Sequence, residues 1–436
     1  MRGKTLKAEL KKHLAALLFL CSASLIRAAD TAKPYESLLS AFGFLKDGNA
    51  GLTSFRSLNI PVGGRSEAMG TAFSAMTDDV SFFEYNPAAS SVLKQTELAL
   101  FHNFWIADSA VDTLMFTRRA NNVGYGGALK SFYIPFTEYN IFGERTSTGY
   151  YSETTAAFNI SYNFFAGYTF KGIAIGTNLK TSFRSIPDYS DNISGRVIPK
   201  SGLSQSGVAL SADAGMLLRF NLAKFYASRD PNFNIGLSLH NAGFAWTGFG
   251  KNTSADAPLP SYASAGISYK MIKPVTLAFE FRQPLNMKDF SKSERASAAI
   301  GAELFVTDFF AVQAGFLLKG VNPKISIGSS LAWQKMIFNA AYSFDLTSSL
   351  SPINKISLAV KMDLGDGGRQ KKEEAADKLY TEGMRLYAQG EFEQAIEKWR
   401  QVLELYPRFD PAKKGIATAQ GTLDLHKRIR DIQTLN

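Results

Sequence analysis

A chain of 436 residues exceeds one ordinary globular domain, and 48 Lys and Arg against 38 Asp and Glu give it a formal charge of +10. Charged residues make up only 20% of it and mean hydropathy is near zero, which excludes a bundle of transmembrane helices. After residue 30 no segment concentrates Lys and Arg among aromatics, so nucleic acid is not an expected partner.

In residues 1–29, Arg2, Lys4, Lys7, Lys11 and Lys12 precede the apolar run Leu14 to Leu20 and the small residues Ser22, Ala23 and Ser24, the order of a secretory signal peptide. The apolar run is far shorter than the roughly 20 residues of a spanning helix. The one cysteine, Cys21, either leaves with the signal or is a lipidation site. In both cases no internal disulfide, thiolate metal site or catalytic thiol is expected.

Residues 30–93 form a separate segment. Within Ser66–Ala75 and just beyond, Ala68, Met69, Ala72, Phe73 and Met76 recur near helical spacing, which predicts a tightly packed helix. Asp78 and Asp79 end it as turn residues. Phe82, Phe83 and Tyr85 then lead into Asn86-Pro87-Ala88, where the proline forces a sharp turn.

From 94 to 364 the pattern is period two. Val275, Leu277, Phe279 and Phe281 share one face while Thr276, Ala278, Glu280 and Arg282 share the other. Ile356, Leu358, Val360 and Met362 likewise oppose Lys355, Ser357, Lys361 and Asp363. Fourteen such strands are predicted, beginning near residues 94, 109, 121, 153, 169, 206, 232, 260, 272, 295, 308, 323, 336 and 354. Long connections at 135–152, 185–205, 241–259 and 284–294 alternate with tight ones, as in outer-membrane barrels. Aromatics recur near strand ends, at Trp105, Tyr133, Tyr162, Tyr168, Trp333 and Tyr342. These features predict a mainly β fold, a 14-stranded antiparallel transmembrane barrel rather than a soluble sandwich.

A polar glycine-containing linker at 365–372 precedes a small helical domain at 373–436. Leu379, Gly383, Tyr387, Gly390, Phe392, Ala395, Trp399, Leu403 and Pro407 have the spacing of one tetratricopeptide repeat. Residues 410–436 read as a capping helix. A lone repeat is not stable by itself, so it should lean on the barrel rim or on a partner. With an even strand count the tail lies on the side from which the chain enters the barrel, expected to be the periplasm.

Nothing points to catalysis, a metal or a cofactor. His13 lies in the signal, and His102, His240 and His426 sit on separate elements without a nucleophile motif. An outer-membrane lipase therefore has the least support, for want of a serine–histidine arrangement.

The stretch Gly63 to Ser90, with Gly70, the aromatics Phe82, Phe83 and Tyr85, and Asn86-Pro87-Ala88 ahead of fourteen strands, resembles the FadL-type long-chain fatty acid transporters of outer membranes, including their PorV-like and spirochaetal branches. The resemblance implies that this segment folds inside the barrel as a hatch and disfavours an open porin. It also implies that a long-chain fatty acid or similar hydrophobic ligand is taken up and released sideways into outer-membrane lipid near a kinked third strand. Here that strand carries Gly124, Gly126 and Gly127, which would leave side-chain space and weaken the ladder, giving a candidate lateral gate. The tail adds the expectation of a periplasmic protein partner. The alternative is a PorV-like scaffold that docks secreted proteins.

Overall fold

The computed structural model describes residues 47–106, 108–191, 193–249, 258–320, 322–346 and 355–433. The expected signal peptide over 1–29, with Cys21, lies outside them.

Fourteen antiparallel strands close on themselves. They are β1 (Glu97–Phe104), β2 (Ala110–Ala120), β3 (Val123–Tyr139), β4 (Arg145–Phe164), β5 (Ile173–Ser185), β6 (Gly207–Phe220) and β7 (Phe233–Thr247), followed by β8 (Ser261–Ile272), β9 (Val275–Leu285), β10 (Ser297–Thr307), β11 (Phe310–Lys319), β12 (Asn322–Trp333), β13 (Met336–Asp345) and β14 (Lys355–Asp363). The first pairs with the last, from Glu97 opposite Asp363 to Phe104 opposite Ile356, so the sheet has no free edge. Alternation decides which face each residue takes. Leu277, Phe279, Phe281, Ile356 and Leu358 are exposed on the outer wall, whereas Glu280, Ser357 and Lys361 are buried in the lumen. An outer surface this apolar, on a closed wall that satisfies its own backbone, belongs in lipid, and the fold is that of an outer-membrane-type β-barrel.

The strand starts agree closely with the alternation, but the connections differ in two places. Residues 135–152, expected to be a loop, are mostly strand, because β3 and β4 stay paired out to Glu138 opposite Ser147 and form a hairpin that stands above the rim. Strand β7 likewise runs to Thr247, into the expected loop 241–259, yet it pairs with β8 only over Phe233 to His240. A bulge at His240 and Asn241 lies opposite Asp213, with Asn241 at φ 56°. The expected terminal aromatics divide: Tyr162 and Trp333 are exposed on the wall, but Trp105 lines the interior and Tyr168 packs on the helical tail.

Between Phe55 and Leu93 the chain lies inside the barrel. The helix expected over 66–75 is one turn only, α1 (Arg65–Ala68). It stops because Gly70 and Thr71 adopt φ 64° and 68°, a left-handed step that brings Gly70 against the β11 backbone. Two 3-10 turns follow, Val80–Glu84, capped by Asp79, and Pro87–Ser91, capped by Asn86 with Pro87 in the first turn.

After β14 come α2 (Arg369–Ala388), α3 (Phe392–Leu405) and α4 (Asp410–Gln433). Helix α2 begins within the span read as a linker, since Asp366 accepts the Gln370 and Gly368 amides and caps its start. Those donors, Gln370 first, hold the Asp366 carboxyl below its usual range. Trp399 is buried between Gly383 and Gly415, where a Cβ at either would crowd the indole, and Gly390 takes φ 84° in the turn. The helices lean on the barrel at its turn end: Tyr168, in the β4–β5 turn, packs tilted against Phe409 with ring centroids 4.3 Å apart and donates its amide to the Arg408 carbonyl.

Candidate functional site

The inner segment is held by side chains that point inward from the wall. Asn86, in the Asn-Pro-Ala turn, accepts the Ala88 amide and donates to the carbonyls of Ser74 (2.8 Å) and Met216 (3.0 Å). The Pro87 carbonyl takes a bond from Asn159, and the Phe83 carbonyl one from Asn178. Glu280 accepts the amides of Phe73 and Ser74, and the Glu84 carbonyl accepts from the Tyr262 hydroxyl. A buried polar backbone in a lumen needs partners of this kind, and the wall supplies them.

Charges lock the same segment. Arg65 reaches Glu303 through two bonds of 2.6 and 2.7 Å and Asp78 at 2.9 Å, while Asp79 pairs with Lys361. Asp78 and Asp79 are therefore more than turn residues, because both face the Arg65 guanidinium. Lys130 of β3 binds Glu84 and the Ile60 carbonyl.

Glycines make the fit possible. At Gly124, Gly176, Gly215, Gly236, Gly266, Gly301, Gly315 and Gly328, on eight of the fourteen strands, an added Cβ would come under 3.0 Å from inner-segment atoms. Gly215 faces the Asn86 side chain, Gly176 the Pro87 carbonyl and Gly315 the Gly70 amide. The β3 glycines expected to leave space belong partly to this belt: Gly124 is filled by Ser90 and Ser91, and Gly126 lies against Phe83 and the Phe116 carbonyl. Gly127 points outward, with nothing nearer than 3.8 Å. Strand β3 pairs without a register shift from Val123 to Tyr133 with β2 and from Val123 to Glu138 with β4, so the ladder is continuous through Gly124, Gly126 and Gly127. Phe82 and Phe83 stack at 4.6 Å with Val80, Ala88 and Val92 in one core, and Tyr85 packs on Phe73.

Ser238, His240 and Asp213 lie in line, contrary to the sequence expectation of no serine–histidine arrangement. His240 Nε2 is 2.9 Å from Ser238 Oγ, and Nδ1 is 3.3 Å from Asp213 Oδ2. Strand pairing brings them together, as β6 and β7 are neighbours. The Tyr85 carbonyl sits on this trio, 2.8 Å from Ser238 Oγ and 2.9 Å from His240 Nε2, and Lys180 pairs with Asp213 at 2.6 Å. With the serine donor and the imidazole both turned to that carbonyl, the arrangement anchors the inner segment.

Above that segment, at the long-loop end, lies a cavity of about 630 Å³, a size usual for small-molecule sites. Its apolar walls include Phe55, Trp105, Phe132, Leu285 and Leu317. Its cations outnumber its carboxylates: Arg56, Arg184, Arg282, Lys292, Lys319, Lys324 and Lys355 against Glu67, Glu153 and Glu294. Several are already paired, Arg282 with Glu280 at 2.7 Å and Lys324 with Asp345 at 3.2 Å. Lys355 instead lies 3.7 Å over the Trp105 ring, and Arg184 5.0 Å over Phe55. Sequence reading missed this set, because its members come from ten strands, their connections and the inner segment. Only the inward parity of Lys319, Lys355 and Arg282 could have signalled it.

The pattern of the uncharacterised protein family UPF0164 matches residues 40–367, and a tetratricopeptide repeat matches 376–409. A UPF0164 protein of Treponema pallidum (strain Nichols) is 29% identical over 395 residues, covering 88% of this chain and 87% of its own. Among solved structures, the CymD monoaromatic hydrocarbon channel resembles it with TM-score 0.46 and 13% identity, over 70% of this chain and 97% of that one. The Pseudomonas putida toluene transporter TodX gives TM-score 0.46 and 13% identity over 68% and 96%. With three quarters of its length matched, the chain belongs to the UPF0164 family.

Proposed function

We propose that this protein is an outer-membrane transporter that takes up long-chain fatty acids or similar hydrophobic molecules, with the helical repeat in the periplasm as a docking module for a protein partner. The observation that carries this reading is the cavity above the inner segment, apolar on its walls with Arg184, Lys319 and Lys355 facing it. An acyl chain would lie along Phe55, Phe132 and Leu317, and a carboxylate head would meet the cations. The inner segment acts as the hatch: it fills the lumen below the cavity and keeps small polar solutes out. Movement past it requires either displacement of the hatch or exit through the wall. At the β3 glycines, exit requires Ser90 and Ser91 to leave Gly124, while above His240 the β7 strand has no β8 partner to separate from.

The test is lipid extraction and native mass spectrometry on the detergent-purified protein. A bound fatty acid that is lost in the pair Lys319→Gln and Lys355→Gln supports the reading, whereas a protein that never retains acyl chains, offered decanoate or palmitate, contradicts it. A protein that carries no lipid but co-purifies with a partner, only while residues 373–436 are present, supports the scaffold alternative instead.

A further inference from the structure

At the opposite end, where the barrel's turns meet the helices, five cations lie in two contact groups, Arg219 with Lys171 and Arg229, and Arg119 with Arg369. Arg119 closes the inward face of β2, and Arg219 that of β6. Lys171 is in the β4–β5 turn, Arg229 in the β6–β7 turn, and Arg369 opens α2. Arg219 Nη2 donates to the Lys171 carbonyl at 2.9 Å, and the Lys171 ammonium and Arg229 guanidinium lie over the Tyr168 ring at 5.7 and 5.6 Å. Arg369 donates to the Arg119 carbonyl at 2.8 Å.

Three of the five have an evident structural task. Arg119 bonds the Asn121 and Val92 carbonyls, Arg369 ties the helix to the rim, and Arg229 pairs with Asp377. Among the described residues, Arg219 uses only Nη2, on the Lys171 carbonyl, and the Lys171 ammonium has only the Tyr168 ring face. The Arg219 Nε is buried without an acceptor, and no carboxylate pairs with either side chain among the described residues. Of the carboxylates nearby, Asp230 is held by Lys94 at 2.5 Å and Asp377 by Arg229. Burial lowers the Lys171 ammonium from its ordinary value, with Arg219 and Arg229 acting the same way and Glu373 and Asp230 opposing. Desolvated cations with an unused donor are costly to keep unless something fills them.

We propose that Arg219 and Lys171 form an oxyanion site at the turn end of the barrel, which takes the carboxylate or phosphate head of an amphiphile between the barrel mouth and the helical repeat. Arg219 Nε and the Lys171 ammonium supply the donors, and Arg119, Arg229 and Arg369 add to the field. A carboxylate head would come from cargo leaving the lumen, and that source rests on the transport reading; a phosphate head would come from a leaflet lipid or from free phosphate.

The experiment uses the full chain in detergent and titrates decanoate, phosphatidylglycerol and inorganic phosphate separately, counting bound molecules by native mass spectrometry. In Arg219→Gln with Lys171→Gln, one class of bound oxyanion should weaken by about tenfold or more while the class lost in Lys319→Gln with Lys355→Gln stays. Loss for decanoate identifies cargo, loss for phosphatidylglycerol a lipid, and loss for phosphate alone a free anion. If the double variant fails to fold, Lys171→Gln alone serves, because the Lys171 ammonium touches only a ring face. Unchanged stoichiometry and affinity for all three probes in a folded variant overturns the site, without touching the cavity at the other end.

Discussion

The wall and the segment it encloses are built by opposite means. Every wall strand is set by its own alternation and its two neighbours, so Leu277 and Glu280 take their faces from local sequence. The enclosed segment has one helical turn and three 3-10 turns, and its shape comes from contacts with distant residues, as Arg65 with Glu303 and Asn86 with Met216. Local order makes a container, and long-range polar contacts make the stopper.

That comparison can be broken most severely at the glycine belt. Gly315→Leu places a side chain on the Gly70 backbone, and the loss of a seated hatch should abolish correct folding or lower thermal stability by several kcal/mol, about the scale of strong overpacking. Gly127→Leu, facing outward on β3, should leave stability nearly unchanged, and thermal unfolding of the two variants measures the contrast. Its fatty acid flux is the separate test of the gate: unchanged flux would remove β3 and leave the stretch of β7 beyond His240 that does not pair with β8. Next in size, Arg65→Ala strands Glu303 and Asp78 and should cost roughly 3–5 kcal/mol, seen as a lower unfolding temperature. On the wall, Leu277→Lys should cost roughly 2–4 kcal/mol by its depth in lipid, measured by refolding into bilayers. Smallest is Asn86→Ala, which removes a cap and two anchors; about 1–2 kcal/mol is expected, with faster protease cleavage between Phe82 and Val92 as the readout.

The sequence was legible where structure is periodic. The fourteen strands, and the repeat from Leu379 to Pro407, follow from spacing alone, because each residue's neighbours lie two, three or four positions away. Asn86-Pro87 was legible as a turn for the same reason. The short helix was overread: Ala68, Met69, Ala72 and Phe73 have helical spacing, yet Gly70 and Thr71 break it to meet β11, and that cause lies some 245 residues away. The β3 glycines were read as weakness in a ladder because their occupants, Ser90, Ser91 and Phe83, belong to another element. The Ser238, His240 and Asp213 alignment and the cation-lined cavity were hidden likewise, since strand register, not order along the chain, brings their members together.

Proteoliposomes carrying the purified protein, with fatty acid flux and ion conductance recorded on the same preparation, test the central claim most directly. The account predicts fatty acid transfer with conductance held near the lipid baseline, because the hatch seals the lumen to ions. Porin-scale conductance, or a sealed barrel that passes no fatty acid, would contradict it.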